Sequence, residues 1–285
     1  MFLSVFGHFN LDFIIKVEKI PDEGSIPVKG TISRAGGTGR NIAFVSSLLG
    51  IDVELFSRVG EGFPSKFINE LEMIGVSTKN VKIIKNYGMT PVCFIVSDGE
   101  KQIAFIDQGP MNEIIPYDNV PEGEWVHFST GIPEEYIKIK SKCKSKISFD
   151  PGQEIHYRYD RKNFDEMISD TEIFFANTIE FQKALNFMGL EDMLKRTKNI
   201  VITRGSEGCM LINKNVKIEL PAYRVVAKET VGAGDSFRAG FYAGMMLNFD
   251  LIKSCLLGMK IASLTVSEGK IIENFPPLEE LIKSL

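Results

Sequence analysis

The stretch KETVGAGDSFRAGFYAG, Lys228 to Gly244, sets Gly232-Ala233-Gly234 directly before Asp235 and an apolar, helix-compatible run. Glycine accepts backbone angles that other residues resist, and Asp and Ser are good helix-start residues. The stretch therefore reads as a tight turn whose amides open a helix. Such an N-terminus attracts anions, because its first N–H groups are unpaired and the helix dipole is positive there. Asp235 adds a carboxylate at the same place. Two readings follow: a cap that satisfies first-turn amides, or a base beside a bound phosphate.

Four other clusters carry usable chemistry. Gly36-Gly37-Thr38-Gly39-Arg40-Asn41 is a second glycine-rich turn into a helix. It is either a turn needing positive φ, or a place where a ligand approaches bare backbone and the Asn41 amide meets sugar hydroxyls. In Gly7-His8-Phe9-Asn10-Leu11-Asp12, Asn10 and Asp12 are two apart and face one way in an extended segment. They make either Asx-turn contacts or a clamp for a vicinal diol. Asn177-Thr178-Ile179-Glu180 is either a capping box or a site where Glu180 holds hydrated Mg2+. Thr203-Arg204-Gly205-Ser206-Glu207-Gly208 is either a hairpin turn or a nucleotide contact through Thr203 and nearby amides. There is no G-x-x-x-x-G-K-[ST] phosphate loop, no G-x-S-x-G elbow and no H-R-D signature, so any phosphate handling needs another device.

The elements that must position these groups alternate. Strand-like runs are Leu3 to Gly7, Val53 to Val59, Trp125 to Ser129, Lys146 to Asp150, Ile173 to Ala176 and Ile200 to Thr203. Helical periodicity marks Asn41 to Leu49, Phe63 to Ile74, Phe237 to Leu247 and Leu251 to Val266. Alternation on this scale predicts a doubly wound, mostly parallel sheet with helices on both faces, formed by residues 1–285 as a single domain. Ligands of such sheets bind beyond the carboxyl ends of the strands. All five clusters follow strand-like runs and would build a single crevice there. Two segments break the rhythm. Residues 13–34 hold short β-like pieces broken by Pro21, Gly24 and Pro27. Residues 90–107 read as a hairpin about a Gly99-Glu100 turn. They are expected to pair as a small antiparallel sheet, either a lid or an edge extension of the core.

Composition narrows the partners. The 285 residues are 44% hydrophobic and 25% charged, which is the globular range. A formal net charge of −4 gives no electrostatic reason for a nucleic-acid or membrane-surface partner. No apolar run approaches the ~20 residues of a membrane helix. The first residues, MFLSVFGHFNLDF, lack a basic n-region and a small-residue cleavage site and are expected to be a strand. Four widely spaced cysteines and three histidines suggest neither a disulfide framework nor a zinc site, and a reducing cytoplasm is the simplest home.

With these residues in view, the chain resembles the ribokinase (PfkB) family of carbohydrate and nucleoside kinases over nearly its whole length. The motifs are G-G-x-x-x-N at Gly36 to Asn41, N-x-x-E at Asn177 to Glu180, T-x-G-x-x-G at Thr203 to Gly208 and G-A-G-D at Gly232 to Asp235. The resemblance implies an α/β sandwich with a small β lid over the acceptor, and transfer of phosphate from ATP with Mg2+ to a primary hydroxyl. It implies an anion hole at Gly232, Ala233 and Gly234, and Asp235 as catalytic base, ionised at neutral pH if its pKa is the usual ~3.9. Asn10, Asp12, Gly36, Gly37 and Asn41 would hold the acceptor. Asn177, Thr203, Gly205 and Gly208 would serve the nucleotide, and Glu180 the metal through water.

Two departures matter. Glu229-Thr230-Val231 stands where the family commonly has D-T-T, which puts activation by a monovalent cation in question. Thr38 stands where ribokinases proper often carry Lys. That change, with SFDPGQ at Ser148 to Gln153, resembles the archaeal nucleoside-kinase branch and favours a nucleoside over a simple sugar. The alternatives are a sugar kinase or a non-catalytic sugar- or nucleotide-binding regulator on the same fold. An intact Asp235 behind an intact glycine turn favours the enzyme. Lid residues Val92, Phe94 and Phe105 are expected to cover the acceptor or a partner subunit in a homodimer.

Overall fold

Alternate side chains of the short apolar strands point to opposite faces of one sheet and build a core on each side. In Leu3–Phe6 (β1), Leu3 and Val5 enter one core and Phe6 the other; in Thr171–Asn177 (β10), Ile173 and Phe175 oppose Phe174 and Ala176. The computed structural model describes residues 1–99, 101–272, 274–283 and 285. In chain order β1 is followed by β2 (Asn10–Lys16), β3 (Gly30–Gly36), α1 (Thr38–Leu48), β4 (Val53–Gly60), α2 (Ser65–Met73), β5 (Ser77–Ile84), β6 (Val92–Ser97) and β7 (Gln102–Asp107). Then come β8 (Trp125–Phe128), α3 (Pro133–Lys140), β9 (Lys146–Phe149), α4 (Arg161–Ile168), β10, α5 (Thr178–Phe187), α6 (Leu190–Arg196) and β11 (Thr197–Thr203). The chain closes with β12 (Cys209–Asn213), β13 (Lys217–Leu220), α7 (Ala233–Met246), α8 (Leu251–Glu268) and α9 (Leu278–Lys283).

The main sheet has the order β13-β12-β11-β10-β9-β8-β1-β4-β5, parallel from β11 to β5 and antiparallel at β12 and β13. One core takes buried residues of α1, α2, α7 and α8, and the other takes those of α3, α4, α5 and α6. This is the doubly wound architecture that the alternation predicts. The edge strand β5 and the hairpin β12–β13 are additions to that expectation.

The two irregular segments meet in a second, four-stranded sheet of order β3-β2-β6-β7. Its outer pairs are antiparallel, but its central pair β2–β6 is parallel, which corrects the all-antiparallel expectation. Both β2 and β6 enter this sheet from the main body, so they run the same way. The β6–β7 turn closes with Asp98 N–H donating to Lys101 O at 3.2 Å; Glu100, half of the predicted Gly99-Glu100 turn, lies outside the described residues. Register puts Asp12, Cys93 and Ile106 side by side on one face, and Phe13, Phe94 and Phe105 on the other. No helix among the described residues is long and apolar enough to cross a membrane.

Candidate active site

From β1 the chain winds one way to β4 and β5; from its other neighbour, β8, it winds the opposite way to β9, β10 and β11. The connections diverge between β1 and β8, and ligands of doubly wound sheets bind at such a switch point. A cavity of about 150 Å3 lies there, between the main sheet and the second sheet. His8 beyond β1 and Thr130 beyond β8 bridge the switch point at 2.7 Å.

Asn10 and Asp12, both buried, line this cavity from one face of β2. The Asn10 Oδ1 atom is buried without a hydrogen-bond partner among the described residues, an acceptor that the protein leaves unsatisfied. Burial pushes the Asp12 carboxyl up to about 6, against the pull of Arg34 and Arg40. Gly36 lies under this carboxylate: a Cβ there would stand 2.0 Å from Asp12 Oδ2. Gly37 has φ 93° and its Cβ position is 2.4 Å from the His8 carbonyl, so the turn into α1 needs glycine on both counts.

Gly232 takes the left-handed conformation, φ 81°, and is itself the N-cap of α7, with no side-chain cap bond. Asp235 therefore is not the cap of its helix. Its Oδ2 instead accepts the Asn41 Nδ2–H at 2.8 Å, across the cavity mouth where the N-termini of α1 and α7 converge. Burial raises the Asp235 carboxyl to about 7, opposed by Asn41 and Arg238 and reinforced by Asp150 and Asp12. Burial thus sets this carboxyl well above the ordinary value of ~3.9 that the sequence alone would assign it.

The second half of the crevice lies at β10 and β11. Asn177 and Glu180 form a capping box, Asn177 N–H to Glu180 Oε2 at 2.7 Å and Glu180 N–H to Asn177 Oδ1 at 2.9 Å. Burial, then the Asp150 charge, lifts Glu180 to about 7. Arg238, one helical turn after Asp235, donates to Asp150 Oδ2 at 2.8 Å, and its charge also reaches Glu180 and Asp235. It thus joins the two halves electrostatically. Thr203 ends β11, paired with Cys209 in a β11–β12 hairpin whose turn contains Gly205 and Gly208. The capping-box and hairpin readings are therefore realised as local structure, and both motifs still sit at strand carboxyl ends.

Sequence reasoning missed much of the cavity wall. Gln108, Thr130, Glu154 and Tyr157 line it, as do the two singled-out-in-passing residues His8 and Thr38. Only the stretch ending at Gln153 hinted at Glu154; Gln108 and Thr130 belong to no motif, and a fold was needed to bring them in. A wider space of about 770 Å3 shares Ile106, Gln108 and Tyr157 with the lining of the cavity and is walled further by Tyr87, Asn112 and Arg158.

Residues 2–277 match the family described as pfkB family carbohydrate kinase. The chain is 38% identical to a nucleoside kinase of Thermoplasma acidophilum, covering 96% of this chain and 92% of that one. It is 32% identical to a nucleoside kinase of Methanocaldococcus jannaschii, over 99% of this chain and 96% of that one. The crystal structure of the Methanocaldococcus jannaschii nucleoside kinase, an archaeal member of the ribokinase family, superposes with a TM-score of 0.91 at 31% identity, covering 100% of this chain and 99% of that one.

Proposed function

The chain belongs to the pfkB family of carbohydrate kinases, and from that premise we propose that it moves the γ-phosphoryl group of ATP to the primary hydroxyl of a nucleoside, with Asp235 as the base. The observation that carries this reading is Asp235 itself. Its carboxylate caps nothing, is oriented by Asn41 at 2.8 Å, and faces the acceptor cavity at the start of α7. A pKa of about 7 suits a base that accepts the alcohol proton as the new P–O bond forms. The amides of Gly232 and Gly234, at the positive end of α7, would receive charge on the transferring group, where phosphoryl transfer needs it, and Ala233, whose N–H donates to the Thr230 carbonyl at 3.1 Å, would have to give up that bond to join them.

The acceptor side presents lone pairs: Asn10 Oδ1 without a partner and the Asp12 carboxylate. A vicinal diol supplies the matching donors. The nucleoside is favoured over a free sugar by the outward space beyond Gln108 and Tyr157, which leaves room for a second ring, and by the nucleoside kinases among the relatives. A sugar kinase is the alternative, supported by the small inner cavity alone. A regulator on the same fold would have no use for the Asn41–Asp235 contact.

For the nucleotide, Asn177, Thr203, Gly205 and Gly208 stand at the ends of β10 and β11. Mg2+ is commonly held by one or two carboxylates, substrate phosphates and water. Glu180, buried with Asp150 beside it, fits that share, and the metal would neutralise phosphate charge there. Glu229 is exposed and accepts the Thr230 amide at 3.1 Å, so a monovalent-cation site built on it would be open to solvent. The second sheet, residues 13–34 and 90–107, serves as lid within a single kinase domain. Cys93 and Ile106 face the acceptor, not Phe94 or Phe105. Phe94 and Phe105, 43% and 61% exposed on the outer face, suit the partner-subunit half of the expectation. The test is ATP consumption against a panel of nucleosides and sugars, with wild type and Asp235→Asn in parallel. Turnover on a nucleoside that the variant loses supports the reading; no turnover on any acceptor, or equal turnover by both proteins, overturns it.

A further inference from the structure

A chain of hydrogen bonds crosses the acceptor cavity from Glu154 to Thr38, and its direction is fixed. Glu154 is 1% exposed and its carboxylate only accepts: from Gly131 N–H at 2.5 Å, Arg158 Nε–H at 2.9 Å and Gln108 Nε2–H at 3.0 Å. The Gln108 amide is thereby oriented, because turning it over would aim its oxygen at a carboxylate. Its Oε1 then faces His8 Nε2 at 3.3 Å. Burial holds the His8 imidazole below its usual pKa, so the ring is neutral and carries one proton. That proton sits on Nε2, which faces Gln108 Oε1 and, at 3.9 Å, the Glu154 carboxylate. The bare Nδ1 accepts from Thr130 Oγ1–H at 2.7 Å. The Thr130 carbonyl takes the Tyr136 hydroxyl at 2.8 Å, and with its one proton on Nε2 the His8 ring has none at Nδ1 to donate to that carbonyl as well. Thr130 Oγ1, having given its proton to His8, accepts from Thr38 Oγ1–H at 2.6 Å.

Thr38 is the last member. It opens α1 and lines the cavity, and its only hydroxyl proton points away from the cavity, at Thr130. What it offers a ligand is a lone pair. We propose that Glu154, acting through Gln108, His8 and Thr130, locks the Thr38 hydroxyl as a hydrogen-bond acceptor, so that the alcohol substrate is selected for a further hydroxyl that donates to Thr38. The inference rests on the kinase reading above and deepens it. Thr38 is a specificity residue; Glu154, Gln108, His8 and Thr130 are positioning residues acting through it.

The test uses the best acceptor found and a matched series in which each of its non-reacting hydroxyls in turn is replaced by hydrogen. For wild type, removing one hydroxyl should lower kcat/KM by about 5- to 100-fold beyond its neighbours, the range for leaving one buried acceptor unpaired. Thr38→Val, which keeps the shape and loses the oxygen, should reduce that one penalty to within about twofold and leave the others. Glu154→Gln lets the chain reverse and should relax the same penalty while Thr38 is intact. If that buried substitution disturbs folding, Gln108→Met at a half-exposed position breaks the chain instead and should do the same. A merely structural role lowers kcat/KM on every acceptor alike and leaves the ratios unmoved. Equal tolerance of every deoxy analogue by wild type, an undiminished penalty in Thr38→Val, or wild-type ratios in both chain variants overturns the inference while the kinase reading stands. No turnover with any nucleoside or sugar overturns both.

Discussion

The side chains of Asn41 and Asp235, 194 positions apart in sequence, meet at 2.8 Å between the N-termini of α1 and α7. The Asn41 amide donates, so it favours the ionised carboxylate, and with Arg238 it opposes a burial that drives Asp235 up to about 7. A base works only when deprotonated. The kcat/KM profile should therefore rise with pH through a limb centred near 7. Asn41→Ala should move that limb to higher pH and lower kcat/KM at pH 7 by roughly tenfold or more, the scale of a hydrogen bond to a charged group. A limb that stays in place in the variant would separate Asn41 from the proton affinity of Asp235.

Asp235→Asn keeps the shape and removes the base. Turnover should fall roughly 10²–10⁴-fold with acceptor binding little changed. The same substitution should affect stability in the opposite sense. A carboxyl whose folded pKa is raised binds its proton more tightly in the native state, so its contribution is favourable below the unfolded value near 3.8 and is lost as pH rises through about 7. Thermal unfolding at pH 8 should thus occur at higher temperature in the variant than in wild type, with the difference shrinking towards pH 5. A variant less stable at pH 8 would mean that the carboxylate is structural.

Arg238 is 4% exposed and is the cation facing Asp150, Glu180 and Asp235. Arg238→Met fills much of the same volume but leaves Asp150 without its 2.8 Å partner. Removing one member of a buried pair usually costs about 3–5 kcal/mol, and chemical denaturation at pH 7 should read a loss of that order. A loss under ~1 kcal/mol would show that the pair is hydrated and weakly coupled.

Why the sequence disclosed the sheet but only part of the site is visible in particular residues. Leu3, Val5 and Phe6, or Ile173 to Ala176, are apolar runs whose burial on both faces leaves a strong local pattern. The edge strand β5 mixes Lys, Asn and Val, because only one of its neighbours and part of its surface are protein. Glycine turns were legible since Gly37 and Gly232 satisfy backbone demands that are local. Asn10 and Asp12 were legible through their spacing. Gln108, Thr130 and Glu154 were not, because each meets the others only through the switch between β1 and β8. The raised proton affinity of Asp235 was not legible for a similar reason: its cause is burial, with Asn41, Arg238, Asp150 and Asp12 as modifiers, and no motif records burial.

Gly36 tests the acceptor clamp without touching a polar atom. An alanine Cβ would lie 2.0 Å from Asp12 Oδ2 and 2.5 Å from its Cγ, so the carboxylate must move. Gly36→Ala should reproduce Asp12→Ala: a rise in acceptor KM of about tenfold or more under conditions where binding is at equilibrium, with nucleotide binding unchanged. An unaltered acceptor KM in either variant would remove Asp12 from the clamp.

The small sheet supplies the last prediction. Cys93 and Ile106 reach the acceptor cavity from its inner face, while every residue of β7 is exposed and β7 is the outer strand. Strands so placed are held by hydrogen bonds on one side and by little burial, which puts them at the low end of local stability. A closing role has a physical motive: water admitted beside a bound nucleotide and an ionised Asp235 competes with the alcohol for the phosphoryl group. An acceptor filling the cavity adds contacts to Asp12 on β2 and to Cys93 on β6, and should tie the sheet down. Amide hydrogen exchange is therefore expected to be faster in residues 13–34 and 90–107 than in β1, β8 and β10 of the free protein, and to slow in both segments when acceptor binds. Exchange as slow as that of the central strands and indifferent to acceptor would make the sheet a fixed part of the body, and water exclusion would then have to come from the acceptor alone.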